Sequence, residues 1–248
     1  MSKPKATGAL PIWAHPAPGT RRPKLTREQI ASCALAIADA EGIDAVSMRR
    51  IAEELGVGTM TLYYYVRTKD DLLTLMDDHL TGEVLIPKGK LPKEWRAAIT
   101  AIARASRAVF IRHPWALSDL EGGRIGPNGM RHVEQSMAAL ASAPLSETDK
   151  ATVISAVDDF VFGHVLRLRD PFVPDAGNSQ GRQQVNEFIH AQIATGEYPH
   201  LAAMVGDEDP TEVFTRMARM MSDEKRFERG LEALLDGFEH SAAKKKKR

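Results

Sequence analysis

The chain has 248 residues, 43% hydrophobic and 27% charged, with 33 Lys and Arg balancing 33 Asp and Glu, so a packed core is available and global disorder is excluded. A single cysteine, Cys33, excludes an intrachain disulfide, and no apolar run is long enough to span a membrane or to form a secretion signal, so a soluble protein of the reducing cytoplasm is expected. The zero net charge is an average: residues 1–69 carry ten basic against six acidic side chains, residues 70–243 carry eighteen against twenty-seven, and Lys244 to Arg248 are all basic. A locally basic segment attracts phosphate whatever the total.

Helical periodicity dominates and no strand-length alternation is present, so the expected class is all-α. Residues 1–24, with Pro4, Pro11, Pro16 and Pro18 and the basic Arg21, Arg22 and Lys24, read as a flexible arm to which no fold is assigned. Thr26 with Gln29 forms a capping box for a first helix whose core face is Ile30, Cys33, Ala34, Ile37 and Ala40 and which ends before Gly42. Cys33 on that stripe reads as a small buried hydrophobe. Ser47 caps a second helix with Met48, Ile51, Ala52 and Leu55 on one stripe, and Gly56 ends it by supplying a left-handed residue.

The third helix, Thr59 to Val66, has only Leu62 and Val66 assigned to the core. Thr59, Met60, Thr61, Tyr63, Tyr64 and Tyr65 are left without an evident partner inside the protein. Such a face suits a surface rich in hydrogen-bond acceptors, as DNA is. Ordinary packing explains a helix pair of this kind equally well when it is taken alone. Arg49 and Arg50 before the third helix, Arg67 and Lys69 after it, and the basic arm tip the reading toward a DNA-binding helix-turn-helix at 47–66. Thr68 caps a fourth helix with Asp70 and Asp71 in its first turn and Leu72, Leu75, Met76 and Leu80 behind. Gly82 and the Pro87, Gly89, Pro92 loop then place a domain junction near residue 85, giving a DNA-binding domain at 25–84 and a larger helical bundle at 85–242.

In the larger domain Pro92 is expected to open a long helix carrying Trp95, Ile99, Ile102, Val109 and Phe110, ended by Pro114. A short turn with Trp115 and Leu117 follows, then a glycine loop (Gly122, Gly123, Gly126, Gly129) that lacks the strand-to-helix setting of a phosphate loop. The next helix carries Met130, Val133, Met137 and Leu140. Ser146 with Asp149 caps a long helix with a broad apolar face from Val153 to Leu168. A mobile loop is expected over 170–180, a weaker helix over 182–194, a helix opened by Asp209-Pro210-x-Glu212, and a last one carrying Phe227, Leu231, Leu234, Leu235 and Phe238. Residues 243–248 read as a basic disordered tail. The long apolar faces can be satisfied within one chain, or Val157, Val161 and Leu168 with Leu231, Leu234 and Phe238 can meet a second copy across a two-fold axis.

The run from Leu25 to Leu73, with IADAEG, SMRRIAEELGV, TLYYYV and TKDDLL in register, resembles the DNA-binding domain of the tetracycline-repressor family of bacterial regulators. His113-Pro114-Trp115 looks like one of the helical variants of that family's second domain. The resemblance implies a ligand-binding and dimerisation domain after the helix-turn-helix, and a regulator, usually a repressor, that binds a palindromic double-stranded operator as a homodimer and releases it on binding a small apolar or amphipathic effector. It implies that Thr59, Met60, Thr61, Tyr63, Tyr64 and Tyr65 face DNA, with Arg49 and Lys69 on phosphates or base edges. Tyr63 would bond a phosphate, while Tyr64 and Thr59 would reach base edges. Gly58 departs from the pattern, so its contact is expected to be absent and capping to fall to Thr59. Arg21 and Arg22 lie where an arm could enter a minor groove.

Trp95, Phe110, Trp115, Met137, Phe160 and His164 are the candidates to line an effector pocket, each of them equally a core residue on the residues alone. No cofactor, metal or membrane partner is expected. A DNA-binding dimer without a ligand, constitutive or architectural, is the alternative. An α-helical enzyme would need a catalytic constellation, and none is found: the eight histidines are scattered, and the adjacent Asp158 and Asp159 point to different faces of one helix.

Overall fold

Hydroxyl caps set four of the helix starts in the computed structural model, which describes residues 12–14, 25–119, 126–169, 179–221 and 224–245. The Thr26 hydroxyl accepts from Gln29 N at 3.1 Å while the Gln29 side chain accepts from Thr26 N at 2.9 Å, closing the capping box that opens α1 (Arg27–Glu41). Ser47 accepts from Arg50 N at 3.1 Å to open α2 (Met48–Glu54), and Thr68 accepts from Asp71 N at 3.0 Å to open α4 (Lys69–Val84). Gly42 and Gly56 have φ of +89° and +63°, the region that glycine enters freely, so the chain turns sharply after α1 and α2. Between α2 and α4 lies α3 (Thr59–Tyr65). It starts at Gly58 with no side-chain cap, so capping does not fall to Thr59, which is already inside the helix.

Gly82 does not end α4, contrary to its expected role. The helix runs on to Val84, and a Cβ at Gly82 would lie 2.7 Å from Asn128 Nδ2, so this glycine permits a close crossing. The partner is α7 (Pro127–Ala139), which packs on α4 as α1 does on another side. Asp78 of α4 caps α7 from outside: its Oδ1 accepts from Asn128 N at 2.9 Å and Gly129 N at 3.0 Å. The core that includes Ile30, Ile51, Leu62, Met76 and Leu80 therefore continues into Val109, Trp115 and Ala116, and packing shows no break at residue 85. By packing the chain separates into two compact units, 1–162 and 163–248.

Within the first unit α5 (Trp95–Arg112) begins three residues later than Pro92 suggests, because the Glu94 carboxylate caps it by accepting from Arg96 N and Ala97 N. A short α6 (Ala116–Asp119) follows. Of the glycine cluster, Gly126 is the N-cap of α7 and Gly129 lies in its first turn, so these two belong to a helix start; Gly122 and Gly123 lie outside the described residues. The α7 apolar stripe is a second correction: Met130, Val133 and Met137 are exposed and only Leu140 is buried, since α7 meets α4 and α5 through its other side, with Ser136 and Ala139 buried.

The long α8 (Glu147–Arg169) is opened by Ser146, whose hydroxyl accepts from Asp149 N at 3.1 Å, and it crosses from the first unit to the second. The second unit also holds α9 (Ser179–Ala194), α10 (Pro199–Val205), α11 (Pro210–Met221) and α12 (Glu224–Lys245). The α9 helix starts at Ser179, inside the span expected to be a loop, and residues 170–178 lie outside the described residues. The α10 helix was not expected. Pro199 sits in its first turn and Gly206, at φ +55°, ends it. Asp209 Oδ1 accepts from Glu212 N at 3.2 Å, as the Asp-Pro-x-Glu signal requires. The last helix extends through Lys244 and Lys245, beyond the expected start of the tail, and residues 246–248 lie outside the described residues. No strand occurs among the described residues.

Candidate nucleic-acid interface

The DNA-reading candidate, α3, is two turns long, too short to be stable alone, so its orientation is set by what it packs against. Leu62 and Val66 are fully buried, and Tyr65, 7% exposed, shares their face at the i+3 position. Tyr65 is therefore a packing residue, and the expectation that its ring faces DNA is corrected. The 62/65/66 spacing carries that signal within the run of three tyrosines. Its ring meets the edge of Tyr64 in a T-shaped contact, centroids 6.0 Å apart, so it supports a side chain on the outer face.

The outer face gathers the other candidates. Met60 is 80% exposed, Tyr64 67% and Tyr63 44%, Thr61 is exposed and Thr59 is half-buried at the start of the helix. Lys69 is exposed in the first turn of α4. The Arg49 side chain is 85% exposed and is loosely tethered to Glu53 at 3.8 Å, so the guanidinium can reach outward. Arg50 cannot: it bonds Glu41 of α1 and Glu54 of α2, both at 2.8 Å, and these partners raise its pKa. Arg21 and Arg22 lie outside the described residues. An open groove of about 680 Å³ beside Cys33 and Arg50 is rimmed by Glu28, Glu41 and Glu54, a charge that repels phosphate. Burial raises the pKa of Cys33 and keeps it a thiol.

The six effector candidates are not brought together. Trp95 is buried at the start of α5, and Phe110 meets Phe162 in a T-shaped contact at 5.1 Å. Trp115 is engaged by α1, donating its indole N–H to Asp39 at 2.8 Å, and Met137 lies on the exposed side of α7. Phe160 is half-buried on α8, while His164, in the second unit, packs against Phe227 at 5.0 Å. Of the two ways open to Val157, Val161 and Leu231, packing within one chain or against a second copy, the structure has the first: all three are at most 3% exposed. Among the described residues no group of three His, Cys, Asp or Glu side chains could hold a metal ion, and no helix is long and apolar enough to cross a membrane.

A helix-turn-helix with a polar, tyrosine-bearing third helix, continued by further helices, is the architecture of a DNA-binding transcriptional regulator. Residues 30–76 match the family described as bacterial regulatory proteins, tetR family, and residues 88–242 match the tetracyclin repressor-like C-terminal domain. The HTH-type transcriptional repressor DrrR1 of Streptomyces coeruleorubidus is 33% identical over 91% of this chain and 81% of its own length. Among solved structures, apo ActR from Streptomyces coelicolor is similar with a TM-score of 0.68 and 30% identity, over 91% of this chain and 99% of that one. ActR in complex with actinorhodin matches at a TM-score of 0.61 and 31% identity, over 86% and 95% of the two chains. The chain belongs to the TetR family of transcriptional regulators.

Proposed function

We propose that this protein is a repressor that reads a palindromic operator as a homodimer through α3 and is released from it by an amphipathic aromatic small molecule. The observation that carries the DNA half is the outer face of α3, where Met60, Thr61, Tyr63 and Tyr64 stand exposed beside Arg49 and Lys69 while Leu62, Tyr65 and Val66 fix the helix from behind. Tyr63 suits a phosphate contact, and Thr59 and Tyr64 suit base edges in the major groove. Two copies would place two such helices on half-sites about 34 Å apart, so a small change in their spacing costs affinity. Operator release is thus a coupling between two sites, with the effector binding more tightly to the form that does not fit DNA.

The effector half rests on ActR, crystallised with actinorhodin. Dimerisation falls to the second unit, where Phe188, Leu201 and Met220 are exposed, and the protein acts in the cytoplasm where its operator lies.

The test uses a duplex selected from random-sequence DNA by the intact protein. It should bind with a log affinity that falls steeply with log salt, and actinorhodin should displace it. Sedimentation should give twice the 27.3 kDa chain mass. Failure to select any sequence at any salt overturns the DNA reading; a selected duplex that stays bound at saturating actinorhodin overturns the effector class.

A further inference from the structure

The segment before α1 was expected to be an arm with no fold, yet Ile12 is buried. It forms, with Trp13 and Ala14, a short 3-10 turn (Ile12–Ala14), is 2% exposed, and belongs to the core that contains Leu25, Ile30, Tyr65 and Val66. Trp13 packs half-buried on the same core. One side chain joins this turn to the DNA-reading helix. Arg27, the first residue of α1, donates from Nη1 to the Ile12 carbonyl at 3.1 Å and from Nε to the Tyr65 carbonyl at 3.3 Å.

The Tyr65 carbonyl is the last of α3, where the next turn that would satisfy it does not exist. A guanidinium there meets both the orphan acceptor and the negative end of the helix dipole. A planar guanidinium fixes the directions of its two N–H donors relative to each other, as a rotating ammonium does not, and Arg27 follows directly on the Thr26 cap of α1. Since α3 is too short to hold its own direction, what fixes its C-terminal end fixes the angle at which Thr59 and Tyr64 meet a base edge.

We propose that Ile12 and Arg27 form a latch that sets the angle of α3, making the N-terminal turn part of the DNA-reading unit and Arg27 a positioning residue for operator discrimination. The latch rests on the assignment of α3 as the helix that reads DNA. It acts without touching DNA, so it governs which sequence is preferred and leaves the number of phosphate contacts unchanged.

The experiment measures affinity of the full-length protein for the selected duplex and for a scrambled duplex of the same length, across a salt series. Arg27→Lys keeps the charge and loses the fork; Ile12→Ala empties the anchor, and Ile12→Val is the conservative rescue. Arg27→Lys and Ile12→Ala should each lose about tenfold in affinity for the selected duplex, the size of one mismatched base pair, with scrambled-duplex affinity and salt slope unchanged and Ile12→Val close to the parent. If Ile12→Ala fails to fold, Arg27→Lys decides alone. Parental discrimination in Arg27→Lys overturns the latch, and so does an equal loss on both duplexes with a shallower salt slope, which would make Arg27 a phosphate contact. Tyr64→Ala separates the two readings: if it too leaves discrimination intact, the α3 assignment fails; if it alone loses discrimination, only the latch does.

Discussion

Trp115 donates its indole N–H to the Asp39 carboxylate at 2.8 Å, and His113 Nδ1 meets the same oxygen at 2.7 Å. A carboxylate can only accept, so the proton of that second bond sits on His113 Nδ1. One acidic side chain of α1 thus ties down the turn between α5 and α6. From the other side, Arg112 bonds Glu83 of α4 at 2.6 Å. Helices α1 and α4 and the turn between α5 and α6 share this joint. Asp39→Ala would remove the acceptor that the buried His113 and Trp115 share. It should lower unfolding free energy by about 1–3 kcal/mol in urea denaturation, whereas Trp115→Phe, which removes one donor and keeps the ring, should cost about 1 kcal/mol.

The second joint depends on the absence of a side chain. A Cβ at Gly126 would overlap the Asp78 carboxylate, which must stay in place to bond the first amides of α7. Gly126→Ala should therefore break the cap and cost about 2 kcal/mol. Gly163→Ala is the control. Nothing lies within 4 Å of a Cβ there, and the residue is inside α8, so it should stabilise by about 0.5–1 kcal/mol in the same assay.

Gly58 is the weak point of α3. Its φ of −72° is open to any residue, and no side chain caps the helix. Gly58→Ser places a hydroxyl where it can accept from the first free amides of α3, and it should stabilise by a few tenths of a kcal/mol, about one degree in the melting midpoint.

Asp158 gives the protein a pH response. Burial, reinforced by neighbouring Asp159, raises its pKa to about 6, and burial raises that of Asp77 as well. A carboxyl that holds its proton more tightly when folded makes the folded state bind more protons than the unfolded one, so stability falls as pH rises from the ordinary value near 4 to about 6. Above that window the loss is complete. Asp158→Asn should flatten this part of the pH profile and gain on the order of 2 kcal/mol at pH 7, read from denaturation between pH 4 and 7.

Local signals fixed the helix starts that the sequence made legible. The Thr26 capping box, Ser47, Thr68, Ser146 and the Asp209-Pro210 pair all cap where their side chains predict, because a cap is decided within four residues. What was not legible depends on residues far apart in the chain. Gly82 and Gly126 look like breakers until Asn128 and Asp78 are placed against them, and the Met130, Val133, Met137 stripe looks like core until α4 and α5 take the other side of α7. In the candidate site the outward face of α3 followed from Leu62 and Val66. The burial of Tyr65 is carried by the same spacing, at i+3 from Leu62, but the pairing of Arg50 is not legible, since its bonds to Glu41 need the packing of α1 to be known.

The central claim is that α3 reads base sequence while its flanking cations supply general affinity. The direct measurement is the affinity of the parent, Tyr64→Ala and Lys69→Ala for the selected and the scrambled duplex at several salt concentrations. Tyr64→Ala should lose about 1–3 kcal/mol on the selected duplex alone, and Lys69→Ala should weaken both duplexes alike with a salt slope shallower by about 1. Equal affinity of all three proteins for both duplexes would contradict the assignment of α3 as the reader.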